Sequence, residues 1–489
     1  MNSHRFSFPR RAGALLVLLA LVFTTLGACS IGKPKFDPKN PVVITVWHYY
    51  NGTVLDAFDA LVQRFNETVG MDKGIIVEGY AYGSVSELEN NVIASVNKEV
   101  GSAALPNVFA SYADTAYAAE KVGILANLDD YFTKSKQEEY ADSYIEEGKI
   151  GFDGELRIFP IAKSTEVFML NDTDWKPFAE AYNLSYDNLT TLESLAEVSK
   201  QYYEWTDART PDVPNDGKAF YGRDSTANMF IIGSMEFGEE IFQVEGGKGE
   251  INVSEKVMRK FWDCYYVPYI SGYFSSYGRY RSDDVKTGEL LSYIGSTSSS
   301  EFFPASVTVN DATYPIDCKI MPVPHFENSE KYLVQQGAGM VVTKNEPLYE
   351  LASAEFLKWF TDVDNNTVFS ALSGYMPVKK AAISYEFISE KLKETGQSIS
   401  VITDETLRIA LVEMSDSKLY TNKAFEGGAA ARNVLGSNLQ NKAVADREKV
   451  INLLDDGASL KDAVAGFASD EQFAEWLAAF EAELQKTIA

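Results

Sequence analysis

The sequence predicts an α/β protein built from two doubly wound lobes, and two observations carry this prediction. Strand-like and helix-like segments alternate from residue 42 onward, at the spacing of βαβ units with parallel strands. The chain also has 489 residues, 45% of them hydrophobic, which is too long for one simple core. Two lobes of about 150–250 residues each therefore fit the length.

The alternation is clearest at its start. Residues 42–47, VVITVW, form a β-branched segment that predicts a buried strand. The next segment predicts a helix, because four apolar residues fall on one face: Leu55, Phe58, Val62 and Phe65. Residues 75–77 predict a second strand, and Ser86 with Glu89 predicts the capping box of a second helix. Residues 107–110 then predict the third strand of a parallel sheet.

The mixed pattern continues along the rest of the chain. Residues 340–342 predict a late strand, and the last third of the chain is mostly helical. The final helix is predicted to begin after a cap formed by Ser469 and Gln472. Six tyrosines occur at near-helical spacing, which favours a packed stripe over a binding surface: Tyr265, Tyr266, Tyr269, Tyr273, Tyr277 and Tyr280.

Aromatic and acidic residues directly follow the predicted strands. Ligands of doubly wound sheets bind at the carboxyl ends of the strands. Trp47 and Tyr49 lie at the end of the first strand, Tyr82 follows the second and Asp114 follows the third. These residue types suit a sugar, which offers an apolar ring face and a belt of hydroxyls. Core packing is the alternative role of each of these aromatic side chains.

Composition and cysteine count exclude several classes of function. A net charge of −26 argues against a nucleic-acid or anionic-membrane surface. The chain has only three cysteines, so neither a disulfide framework nor a four-cysteine metal site is expected. Cys264 and Cys318 are expected to be two thiols, with a disulfide between them as the alternative. Neither a cofactor nor a metal ion is expected.

The sequence lacks the usual enzyme motifs. His48 and His325 lie outside any HExxH-type spacing, and no G-x-S-x-G elbow occurs. The glycine-rich residues 246–249 do not match a P-loop. Acidic pairs at residues 129–130 and 283–284 suit helix caps better than a glycosidase dyad, because chain neighbours point apart. No catalytic residue is predicted, and a secreted glycoside-acting enzyme is the remote alternative.

The N-terminus has the order of a secretory signal. Three arginines precede a short apolar run that closes on LGAC at residues 26–29. This pattern resembles a bacterial lipoprotein signal, in which the cysteine is acylated. The resemblance implies that residues 1–28 are removed and that Cys29 carries the lipid. Residues 29–41 then form a flexible tether that holds the protein outside the cytoplasm, at the bacterial cell membrane. An ordinary signal peptide that contains a cysteine is the alternative.

Short motifs occur in a fixed order along nearly the whole chain after the signal. They are VITVWHYY at residues 43–50, LPNVFASYAD at 105–114, RIFPIAKSTEVFMLN at 157–171 and SGYMPVKKAA at 373–382. In this order and spacing they resemble the extracellular solute-binding proteins of ABC importers. The resemblance is to the branch that binds sugars and glycerol phosphates.

The resemblance implies a periplasmic-binding-protein-like fold, with a multi-strand hinge and a ligand cleft between the lobes. It assigns residues 42–164 and 320–366 to an N-terminal lobe, and residues 165–319 and 367–489 to a C-terminal lobe. It also implies a monomeric, non-catalytic receptor that captures a carbohydrate and delivers it to the membrane permease of an ABC importer. The same role for glycerol 3-phosphate or a glycerophosphodiester is the alternative.

The resemblance also carries over individual ligand-contacting positions. Ser164 falls where glycerol-phosphate-binding members have a ligand-contacting serine, and Gly337 falls at a backbone-contact glycine. Tyr375 matches a tyrosine that faces the cleft. Arg432 matches an arginine that holds a phosphate in those members.

Two positions depart from the glycerol-phosphate pattern. Val85 stands where the family has a tyrosine after the second strand, and Ala113 stands where it has a glutamate after the third. These departures favour a sugar as the ligand. The predicted ligand-binding set is Trp47, Tyr49, Tyr82, Asp114, Ser164, Gly337, Tyr375 and Arg432.

Overall fold

The computed structural model of the chain describes residues 35–421 and 423–488. The predicted signal peptide, Cys29 and the first part of the tether lie outside the described residues. The described part folds into two α/β lobes around two main sheets. Within these residues, no helix is long and apolar enough to cross a membrane.

The strands are numbered in chain order. They are β1 (Val42–His48), β2 (Ile75–Ala81), β3 (Val108–Ser111), β4 (Ile158–Phe159), β5 (Glu166–Asn171), β6 (Ala219–Arg223), β7 (Phe242–Glu245) and β8 (Lys248–Ile251). The later strands are β9 (Leu290–Ser296), β10 (Ser306–Val309), β11 (Ala312–Pro315), β12 (Cys318–Met321), β13 (Tyr332–Val334), β14 (Gly339–Val342) and β15 (Lys418–Tyr420).

The α-helices are numbered in the same way. The first ten are α1 (Gly52–Phe65), α2 (Met71–Lys73), α3 (Val85–Val96), α4 (Ala113–Lys121), α5 (Lys134–Gln137), α6 (Asp142–Glu147), α7 (Asp172–Tyr182), α8 (Leu192–Asp207), α9 (Thr226–Glu236) and α10 (Glu255–Phe261). The others are α11 (Val267–Ile270), α12 (Arg281–Lys286), α13 (Pro347–Phe360), α14 (Val363–Ser373), α15 (Tyr385–Thr395), α16 (Val401–Asp416), α17 (Gly428–Asp455), α18 (Leu460–Ala465) and α19 (Asp470–Thr487).

The first lobe is built on a five-stranded sheet with the order β2-β1-β3-β14-β4. Strands β1, β2 and β3 run parallel, whereas β14 is antiparallel to both of its neighbours. Helix α1 packs into the same core, where Phe58 and Phe65 are fully buried. The predicted βαβαβ start is therefore confirmed, and it places the loops after β1, β2 and β3 at one edge of the sheet.

Helix α3 begins differently from the prediction. Its N-cap is Ser84, whose side chain accepts a hydrogen bond from the backbone N–H of Glu87. The predicted capping box of Ser86 and Glu89 is wrong, because both residues lie inside the helix. Glu89 therefore projects from the body of the helix. The predicted cap at Ser469 is confirmed, since its side chain accepts from the N–H three residues later.

The second lobe is built on a four-stranded sheet with the order β12-β5-β9-β6. Strand β5 is antiparallel to both neighbours, and β6 is parallel to β9. The sequence assigned Ile320 and Met321 to the N-terminal lobe, but both lie in β12 and pair with β5. The chain therefore returns to the first lobe later than residue 320. The rest of the division into lobes stays a prediction.

Two stretches of chain pass side by side between the sheets. Ser164 and Gln336 exchange backbone hydrogen bonds of 3.0 and 2.9 Å. Gly337 has a φ of +95°, and a Cβ there would lie 2.6 Å from a backbone oxygen of the adjoining stretch, so glycine is required. The ammonium of Lys163 donates to the carbonyl of Gly337 at 3.0 Å and forms a buried ion pair with Glu147 at 2.6 Å.

The predicted tyrosine stripe is only partly correct. Tyr265, Tyr266 and Tyr269 are buried in the core of the second lobe, as expected. Tyr277 and Tyr280 are 67% and 53% exposed, because they lie in the loop that leads to α12 rather than on a helix. Core packing is therefore the wrong interpretation for these two.

The cysteines remain thiols. Cys264 is buried, Cys318 is half-buried, and both are free. Burial raises the pKa of the Cys264 thiol to about 12, so it stays protonated and unreactive at neutral pH. The interpretation as two thiols is confirmed.

Candidate ligand-binding cleft

A cavity of about 580 Å³ lies between the two lobes. The first lobe contributes residues after β1, and the second lobe contributes α12 and the segment after β9. Six of the lining residues define its chemistry: Tyr49, Asp224, Tyr280, Asp283, Phe302 and Tyr375. The volume falls within the range of about 300–1,000 Å³ that is usual for small-molecule sites.

Three tyrosines, Tyr49, Tyr50 and Tyr375, line the cavity on the side of the first lobe, and Tyr112 lies beside Tyr49. The hydroxyls of Tyr49 and Tyr375 lie 3.5 Å apart, and the rings of Tyr49 and Tyr50 lie 5.2 Å apart. Tyr375 also stacks on Phe369, with ring centroids 6.4 Å apart. Burial raises the pKa values of Tyr49, Tyr50, Tyr112 and Tyr375. Their hydroxyls therefore stay protonated and can donate hydrogen bonds to a ligand.

The wall on the side of the second lobe is more polar and more open. Tyr280 and Phe302 line the cavity and are 53% and 54% exposed. Asp283 and Lys286 of helix α12 lie beside them, and Asp224 follows β6. Burial raises the pKa of Asp224 to about 6, although a hydrogen bond from the backbone of a nearby arginine opposes the rise. This wall therefore combines aromatic faces with charged hydrogen-bonding groups.

A second group of charges lies next to the tyrosines, where α3, α4 and α17 meet. Burial raises the pKa of Asp114 to about 6; Arg432 opposes this rise and Glu89 adds to it. Burial also raises the pKa of Glu89, while Thr115 and Arg432 act in the opposite direction. Glu89 and Asp114 belong to the first lobe and Arg432 to the second. The three charges therefore influence one another across the boundary between the lobes.

Arg432 is held in place by a chain of hydrogen bonds. Its guanidinium Nη2 donates to Oδ1 of Asn228 at 2.6 Å. The Nδ2 group of Asn228 donates in turn to Oε1 of Glu166 at 2.8 Å. Glu166, on β5, also pairs with the guanidinium of Arg223, and all three partners behind Arg432 are buried. This chain orients the Arg432 guanidinium independently of any ligand.

The predicted site residues fall into two groups. Tyr49 and Tyr375 line the cavity together. Asp114 and Arg432 lie close to each other but do not line the cavity. Trp47 is buried and makes an edge-to-face contact with Tyr82 at 5.1 Å between centroids. Neither of these two residues lines the cavity.

Ser164 and Gly337, the two predicted site residues in the crossing stretches, have structural roles. The backbone of Ser164 pairs with Gln336, and Gly337 provides the conformation and the carbonyl that Lys163 requires. Neither Ser164 nor Gly337 lines the cavity. Their contact with a ligand stays a prediction.

Sequence reasoning missed the contribution of the second lobe to the cavity. The spacing of Tyr280 predicts a packed stripe, and the acidic pair at Asp283 predicts a helix cap. Lys286 and Phe302 belong to no motif, and the pattern around Glu89 predicts a capping box. The turn-rich loop before α12 was the available signal for Tyr280, since loop residues carry binding functions more often than stripe residues do.

Comparison with known proteins identifies the class. The chain belongs to the bacterial extracellular solute-binding proteins, whose family model matches residues 60–395. No curated protein sequence matches the chain. The family consists of binding proteins and is extracellular, which agrees with the predicted location outside the cytoplasm.

Solved structures show the same fold over nearly the whole chain. The cyclic α-maltosyl-1,6-maltose binding protein of Arthrobacter globiformis has 20% identity and a TM-score of 0.64, with 92% of this chain and 99% of that chain covered. UgpB of Mycobacterium tuberculosis, in complex with glycerophosphocholine, has 18% identity and a TM-score of 0.65, covering 92% and 100%. Lmo0181 of Listeria monocytogenes, in complex with cycloalternan, has 14% identity and a TM-score of 0.61, covering 91% and 100%. The predicted periplasmic-binding-protein-like fold is confirmed.

Proposed function

We propose that this protein is the receptor of an ABC importer, and that it captures a mono- or oligosaccharide in the cleft between its lobes. The observation that carries the proposal is the cavity itself, which brings tyrosines and an exposed phenylalanine together with carboxylates and a lysine. Aromatic faces stack on sugar rings, and the charged side chains form hydrogen bonds with the sugar hydroxyls. Similar proteins named as binders of maltose derivatives and cycloalternan support the same ligand class.

The charges around Arg432 favour a neutral sugar over a phosphate ester. Arg432 already donates to Asn228, and two carboxylates, Glu89 and Asp114, face it. A phosphate at Arg432 would lie near both carboxylates and be repelled by them. The similarity to a protein solved with glycerophosphocholine supports a glycerophosphodiester as the second candidate ligand.

The receptor works by a shift between conformations. A ligand that contacts both walls of the cavity stabilises the arrangement in which the lobes meet, and the closed complex then delivers the sugar to the permease. The binding protein is a monomer without catalytic activity, and lipid on Cys29 holds it at the membrane. The flexible tether up to residue 41 gives it reach toward the permease.

Titration of the purified mature protein with neutral sugars and phosphate esters tests the proposal. A ligand present at 100 times its Kd adds about 2.7 kcal/mol to the free energy of unfolding. We expect calorimetric binding and a raised melting temperature with one or more neutral saccharides. Turnover of a glycoside, with no small solute raising the melting temperature, contradicts the receptor function.

Substitution of Arg432 distinguishes the two ligand classes. We expect Arg432→Ala to weaken binding of the preferred neutral sugar moderately, about tenfold, because one hydrogen-bond donor to the ligand is lost. Arg408→Ala, which removes a half-exposed arginine of α16, serves as the control. Loss of binding to phosphate esters, with neutral sugars unaffected, favours the glycerophosphodiester alternative.

Fractionation of cells that express the full chain tests the lipid anchor. We expect the wild-type protein in the membrane fraction and Cys29→Ser in the soluble exported or secreted fraction. Cys318→Ser is the control, because Cys318 is half-buried in the folded protein and lies far along the chain from the signal. Equal release of wild type and Cys29→Ser contradicts the lipid anchor.

A further inference from the structure

One face of helix α4 contacts the second lobe outside the cavity. Asp114, Tyr117 and Lys121 are spaced i, i+3 and i+7, so their side chains share that face of the helix. Each of the three meets a different residue of the second lobe. We call this surface the α4 face.

The first contact involves a glycine at the start of α17. The carboxylate of Asp114 lies so close to Gly428 that a Cβ built on this glycine would be 2.5 Å from Oδ1. The same Cβ would meet the ring of Phe425 at 3.2 Å. Gly428 lies in a helix and has no positive φ, so a side chain at this position is limited by Asp114 and Phe425 and not by its own backbone conformation.

The second contact repeats this arrangement at the β7–β8 turn. The hydroxyl of Tyr117 donates to the carbonyl of Gly247 at 3.4 Å. A Cβ on Gly247 would overlap the Tyr117 hydroxyl, and its φ of +76° also favours glycine. Asp114 and Tyr117 of the α4 face therefore each pack against a glycine of the second lobe, Gly428 and Gly247 respectively.

The third contact is an ion pair between Lys121 and Glu426, with 2.6 Å between nitrogen and oxygen. Both side chains are largely exposed, so solvent screens the attraction and the pair adds little energy. Together with the contacts at Gly428 and Gly247, it joins the α4 face to the second lobe.

We propose that Gly428 and Gly247 are positioning residues for ligand binding: their missing side chains allow the α4 face to dock on the second lobe when the cleft closes. This inference rests on the proposed receptor function. Docking brings Asp114 into the cleft opposite Arg432 and stabilises the closed conformation. A side chain at residue 428 turns the Asp114 carboxylate away or holds the lobes apart, and either change weakens ligand binding.

Gly428→Ala tests the proposal, because this backbone accepts alanine without strain. Gly436→Ala is the matched control in the same helix, since its Cβ would meet only Ala227, at an ordinary 3.8 Å. We expect the ligand-free Gly428→Ala variant to melt close to wild type, because the helix propensity of alanine offsets the tight contact of its Cβ with the Phe425 ring. We expect its Kd for the bound saccharide to rise at least fivefold, while Gly436→Ala binds like wild type. A wild-type Kd in Gly428→Ala overturns the proposal.

A double-mutant cycle identifies the contact. In an Asp114→Ala background the added methyl at residue 428 has room, so we expect Gly428→Ala to change the Kd less than twofold there. The same fivefold loss in both backgrounds assigns the effect to something other than Asp114 and overturns the proposal.

Small-angle scattering with and without saccharide separates failure of this inference from failure of the proposed function. If no saccharide binds the wild-type protein, the proposed function fails. If a saccharide binds, we expect it to lower the radius of gyration of wild type and Gly436→Ala and to lower that of Gly428→Ala less. An equal decrease in all three proteins contradicts the role of the glycine in closure and leaves the proposed function intact.

Discussion

The two walls of the cavity differ in how they are built. Tyr50 and Tyr375, in the wall of the first lobe, are buried and pack on Phe369, so folding of the core sets their position. Tyr280 and Phe302, in the wall of the second lobe, are more than half exposed and lie on short segments. A site of this kind has one fixed wall and one adaptable wall. Substitutions in the first should affect stability and binding together, whereas substitutions in the second should affect binding alone.

Tyr375→Ala should have the largest effect. Removing this buried ring leaves a cavity against Phe369 and should lower the free energy of unfolding by about 3–5 kcal/mol. Urea denaturation followed by circular dichroism measures the loss. Tyr375→Phe is the control: it keeps the ring and removes only a hydroxyl whose contact with Tyr49 is long, at 3.5 Å, so it should lose much less. A loss below 1 kcal/mol for Tyr375→Ala would show that this wall is not part of the core.

Asp114→Asn should have a smaller effect that depends on pH. The pKa of Asp114 is raised from 3.8 to about 6 by burial, so the folded state binds the proton more tightly than the unfolded state. Its contribution to stability is therefore greatest below pH 3.8 and is lost as the pH rises through about 6. Asparagine cannot lose a proton, so the variant should be about 1–2 kcal/mol more stable than wild type at pH 7. The difference in melting temperature between the two proteins should shrink from pH 7 to pH 4; a constant difference would contradict the raised pKa.

Phe302→Ala should have the smallest effect on stability and a clear effect on binding. The ring is 54% exposed, so the melting temperature of the ligand-free protein should barely change. Loss of a stacking surface should weaken saccharide binding about three- to tenfold. Tyr277→Ala is the matched control, because Tyr277 is 67% exposed and does not line the cavity. Equal calorimetric Kd values for Phe302→Ala and wild type would remove Phe302 from the site.

Sequence patterns predicted the first lobe better than the second. In the first lobe, each of the first three strands is followed by a helix, and the hydrophobic period and the turn residues indicate both kinds of element. Tyr49 could be placed at the cavity, because parallel strands bring the residues that follow them to one edge of the sheet. The second lobe has an antiparallel β5 and inserted hairpins, so no such rule assigns its residues to an edge. Tertiary packing brings together the residues that line its side of the cavity, and local sequence patterns do not predict that packing.

The errors at single residues have the same origin. Ser84 and Ser86 both offer a hydroxyl at the start of α3, and the backbone conformation decides which one becomes the cap. Tyr277 and Tyr280 continue the spacing of a buried helix, but the chain leaves the helix before them. Local pattern does not report where a helix ends when no proline or charged cap marks it. The capping-box pattern of Ser86 and Glu89 therefore gave no indication that Glu89 lies near Arg432.

Lys163 ties both crossing stretches to the first lobe. Its ammonium reaches Glu147 of α6 on one side and the carbonyl of Gly337 on the other, in a place where water is excluded. Separating this charge from its partners in the interior would cost several kcal/mol, so the three groups move as one body. We expect bending between the lobes to occur beyond the lysine, toward β5 and β13. A pair of fluorescent labels, one on each side of that point, would report opening of the protein as a change in distance, whichever solute causes it.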